Sequence, residues 1–351
     1  MKALVYNGPG QRSWRDVSDP VIEDPEDAIV RVDAVTICGT DLHILKGDVP
    51  TVDRGRVLGH EAVGTVLEVG DSVRGVTPGD RVLISCITAC GRCAYCRAGR
   101  YGQCLGGGGW ILGHLIDGTQ AEQVRVPFAD RSVHRLPAEV ETESALLLAD
   151  ILPTAYEVGT LAGQVTPGDT VVIVGAGPIG LAALATCGLY SPAKLIVVEQ
   201  AESRQKAALE HGADVALGAG DTVAAAVAEL TGGLGADVAI EAVGVPETFE
   251  LCTEVIRPGG RVANVGVHGA PATLHLEKLW IRDVTITTGL VDTSSTPRLL
   301  GMLAAGRLAL PGLITHRFGL AEMQDAYDTF ARPAETGALK VALFNEETLT
   351  T

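Results

Sequence analysis

Apolar and polar positions alternate in two distinct textures along the chain. Up to about residue 150, short runs such as IVRVDAVTI, AVGTVLEVG and TPGDRVLI are separated by Gly, Pro and Asp turns. That is the pattern of half-buried strands in a β-rich domain. From Val165 the apolar runs become continuous and β-branched: TVVIVG, KLIVVE, DVAIEAVG, RVANVGVHG and VTITTGL. Helical stretches begin at Pro178 and run through SRQKAALEHGA. Strands that alternate with helices predict βαβ units, hence a parallel sheet covered by helices on both faces. The C-terminal part predicts helices over Pro297–Ala305 and Ala321–Arg332 and a closing strand, ALKVALF. No internal repeat interrupts this order.

The segment Val171–Tyr190 carries no charge over 20 residues, a length that admits a membrane helix. Gly-Ala-Gly-Pro breaks it after four β-branched residues, so strand, turn and helix fit better. The N-terminus lacks the apolar core of a signal peptide, and the expectation is a cytoplasmic protein with no membrane partner. A formal net charge of −16 argues against nucleic acid and anionic membrane as partners. A length of 351 residues suits two or three lobes, and 43 glycines point to tight turns and close backbone approaches.

Three groups of residues carry candidate chemistry. The first is Gly175-Ala-Gly177-Pro178-Ile179-Gly180, which follows a β-branched strand and opens a helix. In that context the first glycine permits the turn, the second lets backbone approach a pyrophosphate, and the third allows close helix–strand packing. Glu199 closes the next strand, 19 residues after Gly180. It is placed to accept from both ribose hydroxyls and to repel a 2′-phosphate, which favours NAD over NADP. Arg204 either covers the adenine or tolerates a phosphate.

The second group is Cys90, Cys93, Cys96 and Cys104, four of the eight cysteines within fifteen residues. Four thiolates at this spacing can wrap a tetrahedral Zn²⁺ in a closed, structural shell. Ligand type alone would also admit an iron–sulfur cluster. Cys86 reads as a core residue of the RVLISC strand. The third group is dispersed: Cys38 in TICGTDLH, His60 in LGHEAVG and Asp150 in LLLADILPTAYEVG. Asp150 is a carboxylate in an apolar run and requires a partner if buried. Spacing alone does not unite these three.

Together, CGTDLH, GHEAVGTV, GDRV, the four-cysteine lobe, VVIVGAGPIG, the strand-end acid and GALKV resemble the zinc-dependent, medium-chain alcohol dehydrogenases. The resemblance covers essentially the whole chain. It implies an α/β fold in two parts. Residues 1–152 would form a GroES-like catalytic domain with a structural zinc lobe at 86–110. Residues 153–290 would form a Rossmann domain with a doubly wound parallel sheet, and 291–351 would return to the catalytic domain.

The resemblance also implies a ligand set and a cofactor site. Cys38 and His60 match two catalytic zinc ligands. No cysteine stands near Asp150, and LADILPTAYEVG is similar to the bacterial branch in which aspartate is the third ligand. That branch includes secondary alcohol dehydrogenases and glutathione-independent formaldehyde dehydrogenases. Glu61 is the rival third ligand, and Asp41 matches a carboxylate that orients His60. Thr40 and His43 match a proton relay, which suits an imidazole whose ordinary pKa is near neutrality. Trp110 matches a substrate-pocket residue, with an exposed or interface position the alternative. Thr154 matches a nicotinamide contact. Val243, Val265, Val267 and Leu290 match strand ends that hold ribose and carboxamide, and Lys340 a basic residue near the cofactor phosphates.

The implied activity is hydride transfer from the alkoxide of a small or medium, secondary alcohol to NAD, with two zinc ions per chain and a homotetramer joined through the Rossmann sheets. Within the superfamily a formaldehyde-type or polyol dehydrogenase is the alternative. The first lacks its long insertion here, and the second commonly uses glutamate as third ligand. A zinc-free quinone-reductase-like or lens-type scaffold is the non-enzyme alternative, but such relatives usually lack the ligands present here.

Overall fold

A computed structural model describes residues 1–345. The chain divides into two compact units, Met1–Asp150 with Val291–Thr351, and Ile151–Leu290. The chain passes from the first unit to the second after Asp150 and returns at Val291.

The first unit is built on a seven-stranded sheet. Its central strand, Ala28–Thr36, is almost continuously buried because it is paired on both sides. On one side lies Ala62–Val69, which leads on to Arg81–Ile84 and Val133–Arg135. On the other side Gln123–Val126 pairs with its first half and the C-terminal strand Lys340–Phe344 with its second half. The closing strand thus completes a sheet begun more than 300 residues earlier, with Ala342 opposite Thr36. Ile314–Gly319 lies parallel beyond it. A hairpin of Lys2–Gly8 and Gln11–Asp16 stands apart.

The second unit is a six-stranded, wholly parallel sheet. Its order is Val215–Leu217, Lys194–Val198, Thr170–Val174, Ala236–Glu241, Ile256–Asn264 and Thr285–Thr288. Numbered along the unit, this is the 3-2-1-4-5-6 order of the dinucleotide fold. Pro178–Gly188 and Glu202–Glu210 are the helices read from sequence. Val223–Leu230 and Pro246–Val255 are further helices that the periodicity did not reveal. In the C-terminal part, the expected Ala321–Arg332 helix is a 3₁₀ turn, Leu320–Glu322, followed by Met323–Phe330. Among the described residues no helix is long and apolar enough to cross a membrane.

Three glycines show why this chain needs so many. A Cβ on Gly118 would lie 2.0 Å from the Gly59 carbonyl oxygen and 2.7 Å from Gly113 Cα. A Cβ on Gly113 would lie 2.6 Å from Gly59 N. Three backbones therefore touch directly behind His60. Gly118→Ala is expected to destabilise the protein by about 3 kcal/mol, the upper end of ordinary overpacking, because backbone and not a flexible side chain must move. Chemical denaturation followed by fluorescence measures this, and an unchanged midpoint would contradict the close approach.

Candidate active site and metal centres

The four-cysteine lobe is organised by backbone N–H groups. Cys93 caps the short helix Ala94–Arg97 and accepts from Cys96 N at 3.4 Å, and from Leu105 N at 3.4 Å. Cys104 accepts from Gly106 N at 3.3 Å and Cys90 N at 3.5 Å. Gly106 is required here, since a Cβ would lie 2.5 Å from Cys90 Sγ. The four sulfurs all fall within 4.8 Å of one another. The N–H groups of Cys96 and Leu105 pull the Cys93 thiol down to about 6, whereas burial pushes Cys96 up to about 12. Four converging sulfurs with donated backbone N–H groups fit a tetrahedral, thiolate-bound zinc.

The second cluster joins distant segments. Cys38 sits at the N-cap of the helix Gly39–Lys46, and its N–H donates to Asp41 Oδ2 at 2.9 Å. His60 follows the positive-φ Gly59, at the entry to strand Ala62–Val69. Asp150 follows the helix Thr142–Ala149. Its Oδ2 lies 3.4 Å from Cys38 Sγ and 3.4 Å from His60 Nε2, so one oxygen faces both other groups. Glu61 belongs to the same cluster, with ligand atoms of all four residues within 4.8 Å.

Glu61 is already neutralised. Lys340, only 2% exposed, places Nζ 2.6 Å from Oε2 and 2.8 Å from Oε1, and Thr36 Oγ1 donates to the same carboxylate. Lys340, matched by resemblance to a basic residue near the cofactor phosphates, lies in the interior of the first unit, paired with Glu61.

Burial dominates the electrostatics. It pushes the Cys38 thiol and the Glu61 and Asp41 carboxyls up, in Glu61 against the pull of Lys340. Burial alone would lower the His60 imidazole, but hydrogen bonds to Asp150 and Cys38 hold it well above its ordinary value. A buried thiol, imidazole and carboxylate facing one point, with the neighbouring Glu61 paired elsewhere, are a donor set suited to Zn²⁺.

Around this cluster, Asp41 Oδ1 lies 3.9 Å from His60 Nδ1. Thr40 and His43 share the Gly39–Lys46 helix, and His43 Nδ1 lies 2.9 Å from Asp48 Oδ2. Trp110 meets the His60 ring edge-on at 6.3 Å between centroids. His114, not singled out by sequence, stacks on Trp110 at 4.3 Å and bonds Thr51 Oγ1 at 2.7 Å and the Trp110 carbonyl at 3.0 Å. Cys86 is buried as expected, but its Sγ also lies 3.5 Å from Asp150 Oδ1. Nothing in the strand pattern distinguishes that thiol from an apolar filler.

In the second unit, Gly175 adopts φ +101°, and a Cβ there would lie 2.6 Å from Val243 Cγ2. A Cβ on Gly180 would lie 1.9 Å from the Gly175 carbonyl oxygen. Gly177, by contrast, faces open space at the N-cap of the helix Pro178–Gly188, with Pro178 and Ile179 in its first turn. Two glycines are there for packing and one leaves room for a ligand. Glu199 accepts from Ala176 N at 2.9 Å and from Ala201 N at 3.0 Å, so it ties two strand-end turns together. Arg204 is half-buried on the helix Glu202–Glu210. Val243, Val267 and Leu290 are exposed, and Thr154 and Val265 half-buried. Glu241, also missed, is a buried carboxylate that accepts from the N–H groups of Val243 at 2.9 Å and Gly244 at 2.8 Å and so shapes that turn.

Two outcomes follow from these charges. Lys340→Met leaves Glu61 buried without its cation and is expected to cost about 3–5 kcal/mol. Adding Glu61→Gln should recover most of it, and a double-mutant cycle without coupling would refute the pairing. In the four-cysteine lobe near pH 7.5, backbone N–H groups favour the Cys93 thiolate whereas burial favours the protonated Cys96. Zinc uptake by the metal-stripped protein at that pH should therefore release protons, read with a pH dye; uptake without release would contradict the raised Cys96 thiol.

Comparison with known proteins agrees with this geometry. Residues 24–138 match the alcohol dehydrogenase GroES-like domain, and residues 178–305 the zinc-binding dehydrogenase domain. An alcohol dehydrogenase of Cupriavidus necator is 37% identical over 363 residues, covering 98% of each chain. An NADP-dependent isopropanol dehydrogenase of Thermoanaerobacter brockii is 32% identical, covering 93% of this chain and 95% of that one. A zinc-dependent alcohol dehydrogenase from Streptococcus pneumonia, solved in its apo form, superposes with a TM-score of 0.95 at 49% identity, covering 99% of each chain. The chain belongs to the zinc-binding alcohol dehydrogenases of the medium-chain dehydrogenase/reductase superfamily.

Proposed function

We propose that this family member is an NAD-linked dehydrogenase that interconverts small or medium, secondary alcohols and their ketones, with Cys38, His60 and Asp150 holding the catalytic zinc. The observation that carries the reading is the single Asp150 oxygen 3.4 Å from both Cys38 Sγ and His60 Nε2, while both Glu61 oxygens are taken by Lys340. That difference favours Asp150 over Glu61 as third ligand.

When bound, the zinc supplies a Lewis acid that favours the deprotonated alcohol or polarises a carbonyl. The protein supplies the rest. Thr40 would accept a hydrogen bond from the substrate hydroxyl and hand its own proton on through the nicotinamide ribose toward His43. His43, three residues along the same helix and so on the same face, passes it toward solvent, oriented by Asp48. Trp110, backed by His114, forms an apolar wall beside His60 for the substrate's carbon groups. The second unit would hold the nicotinamide cofactor that supplies the hydride acceptor: Gly177 leaves room for the pyrophosphate, Val243, Val265, Val267 and Leu290 lie at strand ends suited to ribose and carboxamide, and Thr154 would contact the nicotinamide.

Glu199 supports NAD, because a carboxylate at the strand end repels a 2′-phosphate. The NADP-dependent relative makes that preference a matter for measurement. The homotetramer is proposed on the exposed Trp280, Ile281 and Leu276, at 76%, 70% and 61%, near the edge strand Thr285–Thr288.

Asp150→Ala should lower kcat/KM at least about 100-fold and reduce zinc from two ions per chain to one. Retention of both ions with an unchanged rate would overturn the ligand assignment. A panel of primary and secondary alcohols, polyols and formaldehyde, each with NAD⁺ and NADP⁺, separates the alcohol reading from the formaldehyde-type one.

A further inference from the structure

Behind His60 runs a chain of buried hydrogen bonds that reaches the C-terminal part of the sequence. Tyr327, on the helix Met323–Phe330, donates its hydroxyl to Gln120 Oε1 at 2.7 Å. Gln120 Nε2 donates to Asp41 Oδ2 at 3.0 Å, an oxygen that also accepts from Cys38 N at 2.9 Å. Tyr327, Gln120 and Asp41 are each at most 1% exposed. Asp41 Oδ1 has no hydrogen-bond partner and lies 3.9 Å from His60 Nδ1.

The donor and acceptor inventory fixes the direction of this chain. An ionised Asp41 only accepts, so Gln120 must turn its NH₂ toward it and its carbonyl toward Tyr327. Only a donor at Tyr327 then satisfies that carbonyl. Without the hydroxyl the amide loses the bond that sets its orientation, and a flip would aim its carbonyl at the Asp41 carboxylate. Gly59, immediately before His60, makes room for the arrangement: a Cβ there would lie 2.5 Å from Gln120 Cγ. Arg12 fixes the other end, its guanidinium 4.9 Å from the Tyr327 ring centroid and 2.6 Å from Asp328 Oδ1. Phe and Met would fill the volumes of Tyr327 and Gln120 without any polar group to satisfy, so packing alone does not call for this network.

We propose that Tyr327 and Gln120 are positioning residues for the catalytic metal site: they hold Asp41 Oδ2 so that Oδ1 faces His60 and orients that ligand. The inference rests on the reading of Cys38, His60 and Asp150 as zinc ligands.

The test uses the two-zinc protein and measures the rate at which each ion is lost to a chelator, with the four-cysteine zinc as internal reference and thermal unfolding in parallel. Tyr327→Phe removes only the hydroxyl, and Gln120→Met removes both amide contacts at similar volume. Each should accelerate loss of the catalytic-site zinc about 10-fold and leave the reference ion unchanged. In the Gln120→Met background, Tyr327→Phe should add nothing, because the two act through one path. Wild-type release rates in both variants, additive effects, or equal acceleration of both ions would overturn the proposal while leaving the ligand assignment intact. A wild-type protein that holds zinc only in the four-cysteine lobe would overturn the assignment and the proposal together.

Discussion

The structure of the first unit depends on compensating negative charge where water is nearly absent. Two carboxylates and a thiol converge within 4.8 Å around His60, and desolvation opposes the charged forms of Cys38 and Glu61. Lys340 answers for Glu61, and it arrives on the last described strand of the chain. Asp150 and Cys38 both face His60, and the charge of Lys340 acts on them as well, so the cationic side chains of the cluster are shared among its acids.

This constraint explains why the chain leaves the first unit and returns. The strand Lys340–Phe344 both fills the half-edge of Ala28–Thr36 and delivers Lys340, and the preceding helix delivers Tyr327. Lys340 is aimed into the interior by an otherwise apolar strand, and Tyr327 by the buried face of a half-polar helix. Burying them is tolerable because each meets its complement, an ion pair in one case and a hydroxyl-to-amide bond in the other. The glycines Gly59, Gly113 and Gly118 provide the matching absence of side chains, letting three loops meet backbone to backbone.

Much of this was legible in the sequence. The alternation of continuous β-branched strands with helices gave the parallel sheet, because a strand buried on both faces leaves no polar phase to read. The four-cysteine spacing was legible because a tetrahedral site made from one short segment is local. What stayed hidden is long-range and polar. Gln120 in DGTQAEQVRV looks like one more polar strand residue, and Lys340 opens the run KVALF as though it were a solvated end. Their partners, Tyr327 and Glu61, lie more than 200 residues away. The helices Val223–Leu230 and Pro246–Val255 escaped for a different reason: VAAAVAEL and PETFELCTEV are only eight and ten residues long, too short for a helical period to stand out from the neighbouring strands.

Asp150 shows where pattern and chemistry meet. An acid in the run LLLADILPT is costly by propensity and by burial, and such local violations of the folding rules tend to mark sites with a function. Its two oxygens are not equivalent. Oδ2 faces Cys38 and His60, whereas Oδ1 has the buried Cys86 thiol 3.5 Å away. A thiol is a weak donor, so it directs the carboxylate only lightly. If Asp150 is the third ligand, as proposed, the oxygen facing Cys38 and His60 is the one that would be offered to the metal, and a cysteine at 150 would offer a single sulfur with no such division between two atoms.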